Sequence, residues 1–266
     1  MIHRILSSKE KAMNSIEIDS EISPARIVKK DIRAAAVFER YGIDFCCKGK
    51  EPLAKLCEEK NIDVSTLTEE LSRLDAAPPA LDFGSMKAYQ LIGYIIEHHH
   101  SYVRRALPII QQHLHKVAAR HGTDYPENGV IARIFDTLAE ELTEHLHKEE
   151  HVLFPYIQRV EMSCDFGLAP AQSHFGTALQ PISVMEQDHE VVGEAMQTIR
   201  ELSHNFTPPP AACNTYKAAY AELREFEEDL HKHIHLENNI LHPMALELEE
   251  KQWRNSPQAA TNHSVH

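Results

Sequence analysis

Eleven residues, His145–Pro155, read HLHKEEHVLFP, and the same pattern returns at His233–Pro243 as HIHLENNILHP. Aligned, both copies read H-[LI]-H-x-E-x-x-[VI]-L-x-P. The match extends upstream: His100 in YIIEHHHSYV and His189 in SVMEQDHEVV each follow a glutamate by three residues, Glu97 and Glu186. The chain therefore contains two related halves, each with a lone His and then a His-x-x-x-Glu pair. An internal repeat constrains the fold more than any local propensity, because each copy must form the same unit and pack against its partner.

On a helix, residues four apart lie on one face about a turn apart. His145 and Glu149 then point the same way, as do His233 and Glu237. Apolar residues flank both pairs at core spacing: Leu142, Leu146, Val152 and Leu153 in one copy, Leu230, Ile234, Ile240 and Leu241 in the other. That flanking and the duplicated register weigh against solvated surface histidines. Imidazole and carboxylate driven together into a core cost several kcal/mol unless a charge meets them, and a cation does so. With His100 and His189 the set is four His and two Glu. That is too many for one tetrahedral ion and suits two ions sharing carboxylate bridges. Nitrogen and oxygen donors without thiolate suit iron, manganese or zinc, with open, His-rich positions favouring iron.

Other polar residues carry weaker signals. His147 and His235 are rotated about 200° from their neighbours on a helix, and His98 and His99 also face away from His100, so solvated or rim positions are expected for all four. Glu141 and Asp229 precede His145 and His233 by four residues and are candidates to orient those imidazoles. His147-Lys-Glu-Glu150-His151 satisfies the H-x-x-E-H zinc-peptidase pattern. The second copy has Asn238 and Asn239 where that pattern needs Glu and His, so the shared chemistry does not depend on it.

Helical periodicity covers the rest. Four long helices are expected over about 85–122 (kinked at Pro108), 128–160, 181–207 and 211–250, which describes an up-and-down four-helix bundle. Before it, residues 16–45 read as a helical segment with Pro24 in its first turn and Gly42 as its stop. A helix over 52–60 follows, then one from Asp63 or Ser65 in which Thr66 and Glu69 form a capping box. Ala76–Ala80, AAPPA, reads as a linker. The expected division is a small helical domain over 16–75 and a bundle over 84–250, all-α throughout, with a polar tail after 254.

The formal charge of −13 excludes a nucleic-acid-binding face and an anionic membrane surface. No apolar run approaches the ~20 residues of a membrane span, and the first fifteen residues lack a secretory apolar core. Five cysteines without framework spacing fit a reducing cytoplasm. Adjacent Cys46 and Cys47 are poorly placed for a mutual disulfide. Beside Asp44, just past a helix end, they are candidate reactive thiols that handle metal or accept a transferable ligand. Cys57, Cys164 and Cys213 are scattered.

FERYGIDFCCKGKEPLA (Phe38–Ala54) resembles the small amino-terminal domain of the RIC, or repair of iron centres, family of ScdA/YtfE-type proteins. KEEHVLFPYI, PISVMEQDHEVVGE, LENNILHPMAL and TPPPAAC resemble that family's hemerythrin-like domain. The resemblance spans about residues 24–248. It implies a hemerythrin-like bundle holding two non-haem iron ions through His100, His145, Glu149, His189, His233 and Glu237, the set the repeat reaches independently. The two glutamates are implied as bridges beside an oxo or hydroxo bridge. It also places the family's cysteine motif on Cys46 and Cys47. Its carboxylates near the access path to the irons fall on Glu141 and, with Asp replacing Glu, on Asp188. Departures are a longer loop at Ser163–Gln180 and His242 where the family commonly has Phe. The implied function is repair of iron–sulfur clusters damaged by nitrosative or oxidative stress, by donating iron to damaged or apo iron–sulfur proteins. Alternatives are a nitric oxide-reducing enzyme and a dioxygen carrier or sensor. A homodimer through the small domain is implied by analogy.

Overall fold

The computed structural model describes residues 21–47, 49–76 and 81–254. The polar tail, most of the AAPPA linker and the first residues of the expected small domain lie outside this range. Every element among the described residues is a helix, as the periodicity predicts. The described chain falls into two compact units, one ending at Ser85 and the other starting at Met86.

The first unit holds α1 (Pro24–Lys30), α2 (Ala34–Tyr41), α3 (Leu53–Glu59) and α4 (Val64–Ser72). Pro24 opens α1 as expected. The single segment expected over 16–45 is two helices, because the Asp31 carboxylate accepts from the Arg33 backbone N–H and guanidinium and turns the chain between them. The Thr66 capping box does not form. Asp63 caps α4 instead, accepting from the backbone N–H groups of Ser65 and Thr66. Gly42 ends α2 in the left-handed region (φ 61°), which costs glycine nothing. Its turn folds Phe45 back onto Phe38, ring centroids 6.3 Å apart. Ile27, Phe38, Leu53, Cys57 and Leu67 complete an apolar core.

The second unit is the bundle. Its first rod is α5 (Ala88–Tyr94), a π-turn (Ile95–His100) and α6 (Ser101–His121). Its second is α7 (Glu127–Lys148), a π-turn (Glu149–Leu153) and α8 (Phe154–Phe166). The third is α9 (Leu179–Leu202), and the fourth is α10 (Asn214–Leu236), a π-turn (Glu237–Leu241) and α11 (His242–Arg254). Helix α6 packs on α7 while α5 packs on α8, so the first two rods run antiparallel; α10 packs on α6, and α9 on α7. This is the up-and-down bundle the repeat requires. Helix α6 continues through Pro108 for 21 residues.

Buried polar groups fasten the rods. Glu161 of α8 reaches the start of α5 and accepts from the Ala88 and Tyr89 backbone N–H groups at 2.8 and 2.9 Å, satisfying two donors a helix start leaves orphaned. Glu249 and Gln252 of α11 accept from the Ala178 and Ala171 N–H groups, holding the long loop before α9 to the last rod.

Candidate metal centre

Three of the four rods carry a π-turn. Such single-turn bulges insert one residue and re-aim side chains, and they concentrate at functional sites. Glu149 and Glu237 each open one and His100 closes the other. Together with His145, His189 and His233 these residues converge in the bundle interior, none more than 1% exposed.

They form two groups. His100, Glu149, His233 and Glu237 bring one ligand atom each within 4.8 Å of one another, and so do His145, Glu149, His189 and Glu237. Both glutamates belong to both groups. Glu149 turns Oε2 toward His100 Nε2 and Oε1 toward His145 Nε2, each at 3.4 Å. Glu237 turns Oε1 toward His233 Nε2 at 3.0 Å and Oε2 toward His189 Nε2 at 3.1 Å. Each carboxylate thus offers one oxygen to each group, which is the arrangement of a bridge.

The chemistry of the set fits cations. Both oxygens of Glu149 and Oε2 of Glu237 are buried without a hydrogen-bond partner, and such atoms are costly unless something meets them. The Nε2 atoms of His145 and His189 face each other at 3.0 Å. A positive charge is demanded as well. Burial opposes the charged imidazole at His100, but the close carboxylates of Glu149 and Glu237 overcome it and hold its pKa at about 10. Burial is likewise outweighed at His145, raised to about 10 by Glu149 and Asp188. Glu149 is pulled down to about 2, because His145 and His100 outweigh its burial and the charge of Glu237. Protons can supply that charge, and a metal ion on the same lone pairs would replace them.

The far nitrogens of three of the four imidazoles are held by partners sequence reasoning missed, while Nδ1 of His233 is buried without one. His100 Nδ1 lies 2.6 Å from Glu150 Oε1, which also accepts from Arg104. His189 Nδ1 lies 2.9 Å from Asn238 Oδ1. Glu150 and Asn238 occupy the same position of the repeat, one after each shared glutamate, and that matched position was the available signal. Asp188 lies 3.3 Å from His145 Nδ1; this hydrogen bond, backed by the charges of His145 and Lys148, keeps its carboxyl below the usual range. Such partners fix the tautomer that leaves Nε2 free for a metal.

Other expectations are corrected. Asp229 hydrogen-bonds His99 Nδ1 at 3.0 Å rather than His233, and Glu141 is exposed. His99 and His235 are buried instead of solvated. His99 stacks on His233 at 5.4 Å with rings 3° from parallel. His235 is enclosed because α10 is buried all round at this level, His233 through Leu236 in succession. His147 and His98 are exposed, as expected. The H-x-x-E-H residues do not converge: His147 and His151 stack on the surface while Glu150 turns inward to His100.

In the first unit, Asp44, Cys46 and Cys47 form a third group of possible ligands. Asp44 Oδ1 accepts from both cysteine N–H groups at 2.8 and 3.0 Å, and the two Sγ atoms lie 3.6 Å apart. Neither cysteine forms a disulfide. The Cys47 thiol, then burial, push the Cys46 thiol well above its usual range, so it rests protonated.

Comparison with known proteins agrees with this geometry. Residues 91–245 match the family described as the hemerythrin HHE cation binding domain, and residues 23–75 match the ScdA amino-terminal domain, described as a domain of unknown function (DUF542). The iron-sulfur cluster repair protein YtfE of Yersinia pestis (strain Pestoides F) is 38% identical over 215 residues, 80% of this chain and 91% of that protein. The YtfE of Yersinia pseudotuberculosis serotype O:1b is 39% identical over 217 residues, with the same coverage. With a cation-binding bundle, an ScdA-type domain before it and near full-length likeness to these relatives, the chain belongs to the hemerythrin HHE family, among the YtfE-type iron–sulfur cluster repair proteins.

Proposed function

We propose that this protein repairs iron–sulfur clusters damaged by nitrosative or oxidative stress, donating iron from a non-haem di-iron centre to damaged or apo iron–sulfur proteins in the cytoplasm. The observation that carries this reading is the sharing of Glu149 and Glu237 between two four-ligand groups. In it, His100 and His233 would hold one ion and His145 and His189 the other, with Glu149 and Glu237 offering an oxygen to each group. The bound iron supplies Lewis acidity, redox capacity and an exchangeable store of the metal a damaged cluster lacks.

The protein's own residues set the conditions for release. The Nε2 atoms of His100 and His145 can take up protons when an ion leaves, because the neighbouring carboxylates keep these two imidazoles basic. Glu150, Asn238 and Asp188 hold the rings in place through the exchange. Cys46 and Cys47, in a domain proposed to span 16–75 ahead of a bundle over 84–250, take part in delivery, with Asp44 fixing the turn that presents them. Asp188, a third exposed, and Glu141 line the approach from solvent. No helix among the described residues is long and apolar enough to cross a membrane.

The test is metal analysis of the purified chain followed by incubation with an apo iron–sulfur protein. About two irons per chain, and their stoichiometric transfer with cluster recovery, are expected. A single zinc, or bound iron that never transfers, overturns the reading.

A further inference from the structure

Of the positions at which the two halves of the bundle differ, one is fully buried in both halves and packs on an imidazole of the metal centre. Phe154 and His242 are equivalent in the repeat, and each begins the helix after a π-turn. Phe154 stacks on His100, centroids 5.6 Å apart and rings 21° from parallel. His242 stacks on His189 at 6.3 Å and 10°. The packing role is the same, and an apolar ring serves it in the first half. His242 is 1% exposed, and neither ring nitrogen has a hydrogen-bond partner among the described residues. A buried imidazole so placed is costly unless a polar molecule meets it.

We propose that His242 and Glu186 form a polar subsite beside His189 that binds a small hydrogen-bond donor, water foremost, and that the first half lacks. Glu186 Oε1 lies 3.8 Å from His242 Nδ1, and the glutamate side chain is 43% exposed. A small side-chain movement lets the carboxylate accept from Nδ1–H. That tautomer leaves Nε2 as an acceptor, so its occupant must bring a hydrogen. Water, a hydroxyl or an ammonium group qualifies; a bare diatomic gas does not. Glu186 reaches solvent and His242 touches His189, so the subsite gives the His145/His189 group a polar link to the surface.

Two measurements on the full metal-loaded chain test this. High-resolution crystal structures of the wild type, H242F and the swap F154H/H242F are compared, and the wild type should show a molecule within hydrogen-bond distance of His242 Nε2. It should be lost in H242F and appear beside residue 154 in the swap. On zinc-loaded protein, imidazole 15N spectra should show a hydrogen-bonded Nδ1–H on His242 that weakens in E186Q, a variant at a partly exposed position that does not challenge folding. Density without such a molecule, or a His242 spectrum indifferent to E186Q, overturns the proposal. The subsite stands apart from iron donation: a chain that fails to transfer iron but shows the Nε2-bound molecule refutes the proposed function and leaves the subsite intact.

Discussion

His100 Nε2 and His233 Nε2 face each other across 3.0 Å, one from each half of the repeat. Two imidazole lone pairs cannot share that gap without a proton or a metal between them. The metal-free protein uses protons, with His100 and His145 held at about 10, far above the ordinary 6.5. Metal binding must displace them. At neutral pH, titration with a divalent ion in weak buffer should therefore release about two protons per chain. The sign follows: protons compete for the same nitrogens, so apparent metal affinity rises with pH until about 10 and falls as pH drops. Calorimetry in buffers of different ionisation enthalpy would check it; an enthalpy independent of buffer counts against protonated imidazoles.

The shared carboxylates make a different prediction from a pair of independent sites. Glu149 faces His100 with one oxygen and His145 with the other. Glu149→Gln removes a charge common to both groups, so both ions should be lost or weakened together, and Glu237→Gln should behave alike. Metal content after dialysis against a chelator reads this directly. Retention of one tightly held ion in either variant would show that the carboxylates serve separate sites.

The residues behind the imidazoles should tune the centre unequally. Glu150 gives His100 a charged acceptor at 2.6 Å, whereas Asn238 gives His189 a neutral one at 2.9 Å. Loss of such a partner typically costs 10–100-fold in metal affinity. Glu150→Gln should lose about 10-fold and Glu150→Ala more within that range, with smaller losses for Asn238→Ala. Competition with a coloured chelator measures these, and unchanged affinity in Glu150→Ala would remove that residue from the centre.

How far the sequence could be read follows from how information is stored in it. The six converging His and Glu residues were legible because the repeat places them twice in one register, against apolar neighbours. The π-turns were not, since a bulge inserted after an i, i+4 pair leaves the spacing of that pair unchanged. His99 and His235 were misjudged for a related reason. A 200° rotation points a side chain away from the metal, but at His235 another buried layer lies on the far side. Asp63 displaced Thr66 as the cap of α4 because its carboxylate, one position outside the helix, offers an oxygen to each of the two free N–H groups.

The fold offers its own test at Glu161. Its carboxylate, 4% exposed, accepts two backbone N–H groups at the start of α5. Glu161→Ala leaves those donors buried and unmet, which should cost about 2–3 kcal/mol. Denaturant unfolding of the metal-loaded chain should show a lower midpoint with an unchanged slope, and metal content per folded chain should hold. An unchanged midpoint would mean that solvent reaches these donors.

The thiols decide whether the small domain does more than accompany the bundle. Cys46 is buried and its thiol is held protonated by Cys47 and by burial, so it is a poor nucleophile at rest. A metal ion arriving between Asp44 Oδ1 and the two Sγ atoms would change that, because coordination drives the proton off sulfur. A delivery role therefore predicts thiols that respond to metal rather than thiols that are reactive throughout. In the full chain, alkylation of Cys46 should be slow, and its chemistry should change when ferrous iron is added. Replacing both cysteines with serine keeps the size and the Asp44 turn but offers weaker donors. The double variant should load iron into the bundle like the wild type, since none of the six buried ligands is touched, while cluster recovery in an apo acceptor falls several-fold. Undiminished recovery would confine donation to the bundle and remove Cys46 and Cys47 from the path.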